Sequence, residues 1–330
     1  KRMEYQAKKE RYDNMEYRKS GKSGLKISAI SLGLWHNFSH NSSYTNARKL
    51  VLRSFDVGIT NFDIADCYGP PYGAAEEIMG KILREDLKGY RDELLISTKA
   101  GYDTWRGPYG DFGSRKHMVA SLDQSLKRLG LDYVDIYYHH RPDPETPLEE
   151  TMETLSRMVK QGKILYVGLS NYGPEELKKA ALLLEEFGTP CLIHQHRYSM
   201  LRRENEILLP VLEKYGIGSI AYCPLEQGIL TGKYVNGIPQ DSRAVGDSIY
   251  FDRKALENNE KVKKLCMLAE ERGQTMAQMA IAWALQAGKL TSVILGASKA
   301  EQIEENVKAL QNFQFMENEY LDIDTILKSS

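Results

Sequence analysis

Much that would single out a function class is missing from this chain. No apolar stretch approaches the ~20 residues of a membrane-spanning helix, and the charged N-terminus lacks the apolar core of a secretory signal. Neither sign of charge dominates: 44 basic residues stand against 45 acidic ones. That balance excludes the basic surplus of a nucleic-acid binder or of a protein drawn to an anionic membrane. Cysteine is sparse and unpatterned. Cys67, Cys191, Cys223 and Cys266 form no Cys-x-x-Cys pair and no small-domain disulfide framework, which fits free thiols in a reducing compartment. No linker rich in Pro, Gly or Ser divides the chain. The expectation is a cytoplasmic protein with a small-molecule partner, without nucleic acid or membrane; assembly with copies of itself is compatible with the sequence.

What is present is a regular alternation. The chain has 330 residues, 42% of them hydrophobic, enough for a substantial core. From about residue 28, short apolar runs alternate with amphipathic segments, the pattern of βα units. Strands are predicted at 28–34, 60–65, 94–99, 134–140, 164–169, 191–196, 218–223 and 292–296. Helix signals support the intervening segments: Pro174 followed by Glu175 and Glu176 suits a first turn, and Ile303, Val307 and Leu310 share one face between 300 and 310. Eight such units match a closed (β/α)8 TIM barrel better than an open doubly wound sheet. Residues 15–330 read as one domain and residues 1–14 as a charged surface extension. Met15–Arg18 and Lys26–Ile27 flank a Ser-Gly-Lys-Ser-Gly turn, a hairpin placed to plug the lower end of the barrel. Two long loops, 101–110 and about 230–258, follow strand ends, the face where such barrels keep their chemistry.

Three ionisable residues sit at or just past strand ends where charge is costly: Asp63, Lys99 and His140. Singly, Asp63 or Lys99 has an ordinary reading as half of a structural ion pair, and Tyr68 as a half-buried tyrosine. Jointly, with Tyr68 five residues after Asp63, they suggest one proton-donating site. A free tyrosine titrates near ~10, and the expectation is that Lys99, held by Asp63, lowers that value. His140 would orient a carbonyl oxygen. A site that protonates oxygen while carbon accepts hydride needs a nicotinamide, since no side chain donates hydride. His194 and His196 alternate on one strand face without a third ligand at a telling distance, so no metal site is expected. Gly216–Ala221 matches a dinucleotide glycine fingerprint only superficially, because it precedes a strand instead of following one.

Phe62–Gly69, Ser97-Thr98-Lys99 and Asp135–Pro142 resemble the motifs of the aldo-keto reductase family, in order and spacing, and the likeness extends over about residues 15–315. The resemblance makes Asp63, Tyr68, Lys99 and His140 the catalytic set and selects His140 over His139. It implies that Ser170, Asn171 and Gln195 bind the nicotinamide carboxamide and that Tyr222, in Tyr222–Leu225 with Pro224, stacks on its ring. The 295–306 segment resembles the family's adenosine-phosphate segment. Gln302 departs from the aldose reductase version, which has arginine there, and matches the channel-beta-subunit branch. Gly296, Ser298, Gln302, Glu305 and Asn306 are carried over on that likeness, with Ser298 toward a 2′-phosphate, so NADP(H) is the implied cofactor. From the same branch come Gln227, Gly228, and Lys233 and Arg243 embracing the pyrophosphate. Segments around Trp35, Tyr68–Pro71, Lys99–Tyr102 and Gly237–Arg243 also resemble bacterial L-glyceraldehyde 3-phosphate reductases.

The implied activity is NADPH-dependent reduction of small or phosphorylated aldehydes, such as glyceraldehyde 3-phosphate or methylglyoxal, to alcohols. Trp35, Tyr68, Tyr102, Trp105 and His140 are expected at the substrate mouth, with Trp35 also touching cofactor. Arg141, Arg106 and Arg115 are candidates for an anionic substrate group. The competing class is a cofactor-binding regulatory subunit of the channel-beta type with little turnover. Against it stands His140, where those subunits resemble the family except for an asparagine.

Overall fold

The computed structural model describes residues 4–240, 242, 244, 245, 251 and 253–328. A short antiparallel hairpin, β1 (Tyr17–Lys19) and β2 (Lys26–Ser28), precedes the barrel. The barrel strands are β3 (Ile30–Gly33), β4 (Asn61–Asp63), β5 (Leu95–Ala100), β6 (Val134–His139), β7 (Ile164–Ser170), β8 (Cys191–Arg197), β9 (Gly218–Tyr222) and β10 (Ser292–Leu295). All neighbours are parallel, and β10 closes on β3 through the Val293–Ile30 register. This is the expected (β/α)8 barrel, with each strand within a few residues of its predicted range.

The surrounding helices are α1 (Tyr44–Asp56), α2 (Ala74–Glu85), α3 (Arg115–Leu129), α4 (Leu148–Lys160), α5 (Pro174–Glu186), α6 (Leu209–Tyr215), α7 (Asn259–Glu271), α8 (Met276–Ala287), α9 (Ala300–Val307) and α10 (Glu317–Lys328). Their ends follow side-chain chemistry. Ser43 caps α1, Ser114 caps α3, and Thr275 with Gln278 forms a capping box on α8. Pro174 opens α5 with two acidic residues in its first turn, as expected. Two features depart from simple alternation. Both α7 and α8 lie between β9 and β10, and α9 stops at Val307, continuing to Asn312 as a tighter helical turn. No helix among the described residues is long and apolar enough to cross a membrane.

The hairpin closes the lower end as predicted. Ile27 is fully buried against the barrel interior formed by Ile136, Tyr138, Ile193, Ile220 and Ile294. Ser20 Oγ donates to the Leu192 carbonyl at 3.0 Å, and the Lys22 N–H to that of Gly216 at 2.9 Å. Gly21 is required at that contact: its φ is +54°, and an added Cβ would sit 1.9 Å from the Gly216 oxygen. Residues 4–14 lie mostly on the surface but are pinned there. Tyr5 donates to Asp56 at 2.7 Å, and Arg11 pairs with Glu93 while covering the Phe55 ring.

Candidate active site

Strand register delivers the charged residues to one place. Asp63 pairs with Ser97 across β4 and β5, and Lys99 lies two residues further along the same inward face. The Lys99 ammonium donates to Asp63 Oδ2 at 2.6 Å, to the Ile64 carbonyl at 2.7 Å and to the Tyr68 hydroxyl at 3.3 Å. All three ammonium hydrogens therefore have partners, which is what a fully buried cation requires. Asp63 Oδ1 accepts from Gln195 Nε2 at 2.9 Å and from Ser97 Oγ at 3.3 Å. The sequence alone did not reveal the Gln195 hydrogen bond to Asp63, or the Ile64 carbonyl. A backbone acceptor leaves no signature in side-chain identity.

Tyr68 sits on the loop leaving β4, with its ring 6.1 Å from that of His140. His140, and not its neighbour, faces this site. His139 points away, bonded through Nδ1 to the Tyr172 hydroxyl at 2.6 Å. Burial, and not the neighbouring Lys99, decides the net direction of the Tyr68 pKa. Burial raises the phenol well above its ordinary range, and the Asp63 carboxylate adds to the rise. Burial and then Lys99 push His140 well below its ordinary value, so its imidazole is neutral near pH 7. Cys67 Sγ lies 4.0 Å from His140 Nδ1, and burial pushes the Cys67 thiol up to about 12. The pair at the mouth is therefore a protonated phenol and a neutral imidazole, able to donate a proton and a hydrogen bond to one oxygen.

The strand ends beyond form a connected set. Asn171 Nδ2 donates to the His140 carbonyl at 3.0 Å and to Ser170 Oγ at 3.1 Å, while the Tyr222 hydroxyl donates to Asn171 Oδ1 at 2.8 Å. Pro224, Leu225, Gln227 and Gly228 form the turn after β9, where Gln227 and Gly228 both adopt positive φ. Lys233 lies over this turn: a Cβ on Gly228 would meet its ammonium at 3.1 Å. Glu226, fully buried in the same turn, pairs with Arg197 and accepts from Ser199 Oγ at 2.9 Å, an anchor the sequence did not announce. Arg243 lies outside the described residues.

A second group lies at the start of α9. Gln302 Oε1 accepts from the Ser298 N–H at 2.8 Å, the Lys299 N–H at 3.1 Å and Ser298 Oγ at 3.2 Å. A Cβ at Gly296 would meet open space. Asn46 Nδ2 donates to the Ser298 carbonyl at 3.0 Å. Glu305 pairs with Lys308, and Asn306 turns inward to line a small cavity with Ile30, Leu32 and Ile303.

Trp35 and Tyr102 flank the mouth on opposite partners, with Trp35 6.4 Å from the Tyr68 ring and Tyr102 edge-on to His140 at 4.7 Å. Trp105 leans on His117 at 4.9 Å. Of the arginine candidates, Arg106 is exposed, Arg115 pairs with Glu153 at 2.7 Å, and Arg141 with Asp111 at 2.7 Å. His194 and His196 stack with their Nδ1 atoms 3.2 Å apart. No group of three or more potential ligand side chains capable of holding a metal occurs among the described residues.

A buried Asp–Lys pair touching a tyrosine at the upper rim of an eight-stranded barrel agrees with the comparison to known proteins. The profile of the aldo/keto reductase family matches residues 29–328. The chain belongs to the aldo/keto reductase family. This aldo/keto reductase is an oxidoreductase by membership, and its relatives align over nearly its full length. It is 53% identical over 329 residues to the L-glyceraldehyde 3-phosphate reductase of Escherichia coli strain K12, covering 98% of this chain and 95% of that one. The protein of the same name from E. coli O157:H7 is also 53% identical. A Schizosaccharomyces pombe protein bearing the name of a voltage-gated potassium channel beta subunit is 37% identical over 326 residues, covering 95% of this chain and 94% of that one.

Proposed function

We propose that this protein reduces small aldehydes to alcohols with NADP(H), and that Tyr68 is the proton donor. One observation carries the reading: a fully buried ammonium bridges a carboxylate and the hydroxyl of Tyr68, beside a neutral imidazole. The Tyr68 proton is held tightly until negative charge develops on a carbonyl oxygen within hydrogen-bond reach. The phenolate then left behind lies beside Lys99, whose attraction grows only as that charge appears, so the stabilisation is spent on the transition state. His140 donates a hydrogen bond that fixes the carbonyl oxygen. When bound, the reduced nicotinamide supplies the hydride.

The donor set suits a phosphorylated dinucleotide. Ser170, Asn171 and Gln195 gather amide and hydroxyl groups beside the tetrad, with Tyr222 next to them as a stacking face and Trp35 at the opposite edge. Lys233 brings positive charge over the Leu225–Gly228 turn, with Arg243 assigned beside it from the sequence. At α9, donors from Ser298 and Lys299 converge on one amide oxygen of Gln302, an arrangement an anionic oxygen could take over. Open space at Gly296 leaves room there. Ser298 toward a 2′-phosphate favours NADP(H) over NAD(H). Glu305 and Asn306 complete that segment. The name of the E. coli relatives supports glyceraldehyde 3-phosphate as a first substrate, with methylglyoxal second.

The test is NADPH consumption with a panel of small aldehydes, repeated with Tyr68→Phe. The variant should lose about 10²–10⁴-fold in kcat with cofactor affinity nearly unchanged, the worth of a positioned general acid. A fully active variant refutes the role of Tyr68. The likeness to the channel beta subunit favours a second reading, a regulatory subunit; tight NADPH binding without turnover on the whole panel would select it.

A further inference from the structure

Arg141 immediately follows His140, and the Nε–Nη2 edge of its guanidinium is engaged by the loop that leaves β5. Nε donates to the Gly101 carbonyl at 2.7 Å, and Nη2 donates to Asp111 Oδ1 at 2.7 Å. Its centre lies 4.4 Å from the Tyr102 ring and 4.3 Å from the Phe112 ring, so two aromatic groups pack against one planar cation. Tyr102 in turn meets His140 edge-on, with the ring planes at 89°. Phe112 adopts a φ of +63°, a conformation a bulky residue keeps only when its surroundings impose it.

The same strand exit holds the far end of the loop. Asp143 Oδ2 accepts from the Gly113 N–H at 2.9 Å. Between these anchors the Thr104 N–H donates to the Gly110 carbonyl at 2.9 Å, closing the loop on itself. Residues 101–113 are thus fastened at both ends by side chains that leave β6 beside the tetrad.

We propose that Arg141 is a positioning residue for aldehyde specificity: it clamps Tyr102 against His140 as a fixed wall of the substrate mouth and does not bind the substrate's anionic group. The proposal rests on the aldehyde-reducing reading of the site. A phosphate seeking the forked Nε–Nη2 edge of this guanidinium would have to displace the Gly101 carbonyl and the Asp111 carboxylate. Lysine cannot take the place of arginine here, because a point charge offers neither the planar face nor the forked donors.

The test compares wild type, Arg141→Met and Arg141→Lys with glyceraldehyde and with glyceraldehyde 3-phosphate at saturating NADPH. Hydrogen exchange is followed over residues 101–113 of the same proteins. Both variants should raise KM about tenfold for both aldehydes, by the same factor, with kcat within about threefold of wild type. Amide exchange across the loop should quicken in both. A KM that rises only for the phosphorylated aldehyde, and returns with lysine, overturns the proposal and makes Arg141 an anion ligand. Unchanged loop exchange in Arg141→Met overturns it as well. Should wild type reduce no aldehyde, the functional reading falls, and the exchange measurement still decides whether the clamp exists.

Discussion

Removing the Lys99 ammonium while keeping its volume tests the centre of the site. In Lys99→Met, Asp63 keeps Gln195 and Ser97 as donors but loses its counter-ion, with its side chain only 3% exposed. Breaking a buried ion pair by deleting one partner costs about 3–5 kcal/mol, because an uncompensated charge stays behind in a medium that solvates it poorly. For a chain of 330 residues, an unfolding entropy of roughly 2.1 cal/mol/K per residue converts that loss into a drop in Tm of about 4–7 °C. Asp63→Asn should cost a similar amount, since the buried ammonium then has only neutral acceptors and no counter-ion.

The double variant Asp63→Asn/Lys99→Met removes both charges and should recover most of the loss. About 1 kcal/mol should stay lost because the Ile64 carbonyl no longer has its donor. Urea denaturation of the four proteins, read at constant m-value, measures the coupling directly. A single-variant cost below about 1 kcal/mol, or strictly additive losses in the double variant, would show that the pair is neither desolvated nor coupled. The proton-donor reading of Tyr68 would then lose its physical basis.

Stability should peak at about pH 7. Burial pushes His139 and His196 from 6.5 down to about 4, while it pushes Asp66 from 3.8 up to about 8. Below pH 7 the unfolded chain takes up four protons that folded His139, His140, His194 and His196 refuse, whereas folded Asp66 already holds one that the unfolded chain lacks. The net, which reaches about three protons by pH 5, predicts a loss of about 4 kcal/mol between pH 6.5 and pH 5. Above pH 7 Asp66 outweighs the histidines, and stability falls with rising pH toward about 8. Denaturant curves at three pH values check this, and equal or greater stability at pH 5 contradicts the burial of the histidines. Separately, Gly168→Ala would bring a Cβ within 2.4 Å of the Tyr138 ring, whose centre is 5.7 Å from the Lys99 ammonium. It should cost about 1–3 kcal/mol by overpacking and lower aldehyde turnover; a variant with wild-type Tm would show that the barrel interior yields there.

The eight strands were legible because parallel barrel strands are buried on both faces and read as apolar runs between turn residues, whatever lies elsewhere in the chain. The Asp63–Lys99 pair was legible for a related reason. A charge at the end of such a run must meet its opposite, and parallel register leaves few candidates. The Asp63–Ser97 register puts Lys99 two residues beyond on the same face, so its long stem spans the gap to both Asp63 and Tyr68. These are local patterns with a fixed geometric consequence.

Arg141 and Tyr68 show where that logic stops. An arginine following a strand reads identically whether it awaits an anion or already holds one. The distinction lies in Asp111 and Phe112, about thirty residues earlier, on a loop whose path no periodicity describes. For Tyr68 the sequence gives the sign of the nearest charges, Lys99 against Asp63, but the depth of burial decides the outcome, and burial is contributed by many segments at once. A cation beside a phenol in water lowers its pKa. The same cation already paired to a carboxylate, in a site that water scarcely enters, leaves the proton in place and waits for charge to form. That difference separates a tyrosine ionised at rest from one that donates only when a carbonyl oxygen begins to carry negative charge, and in the proposed reaction Lys99 stabilises the phenolate that forms and not the resting phenol.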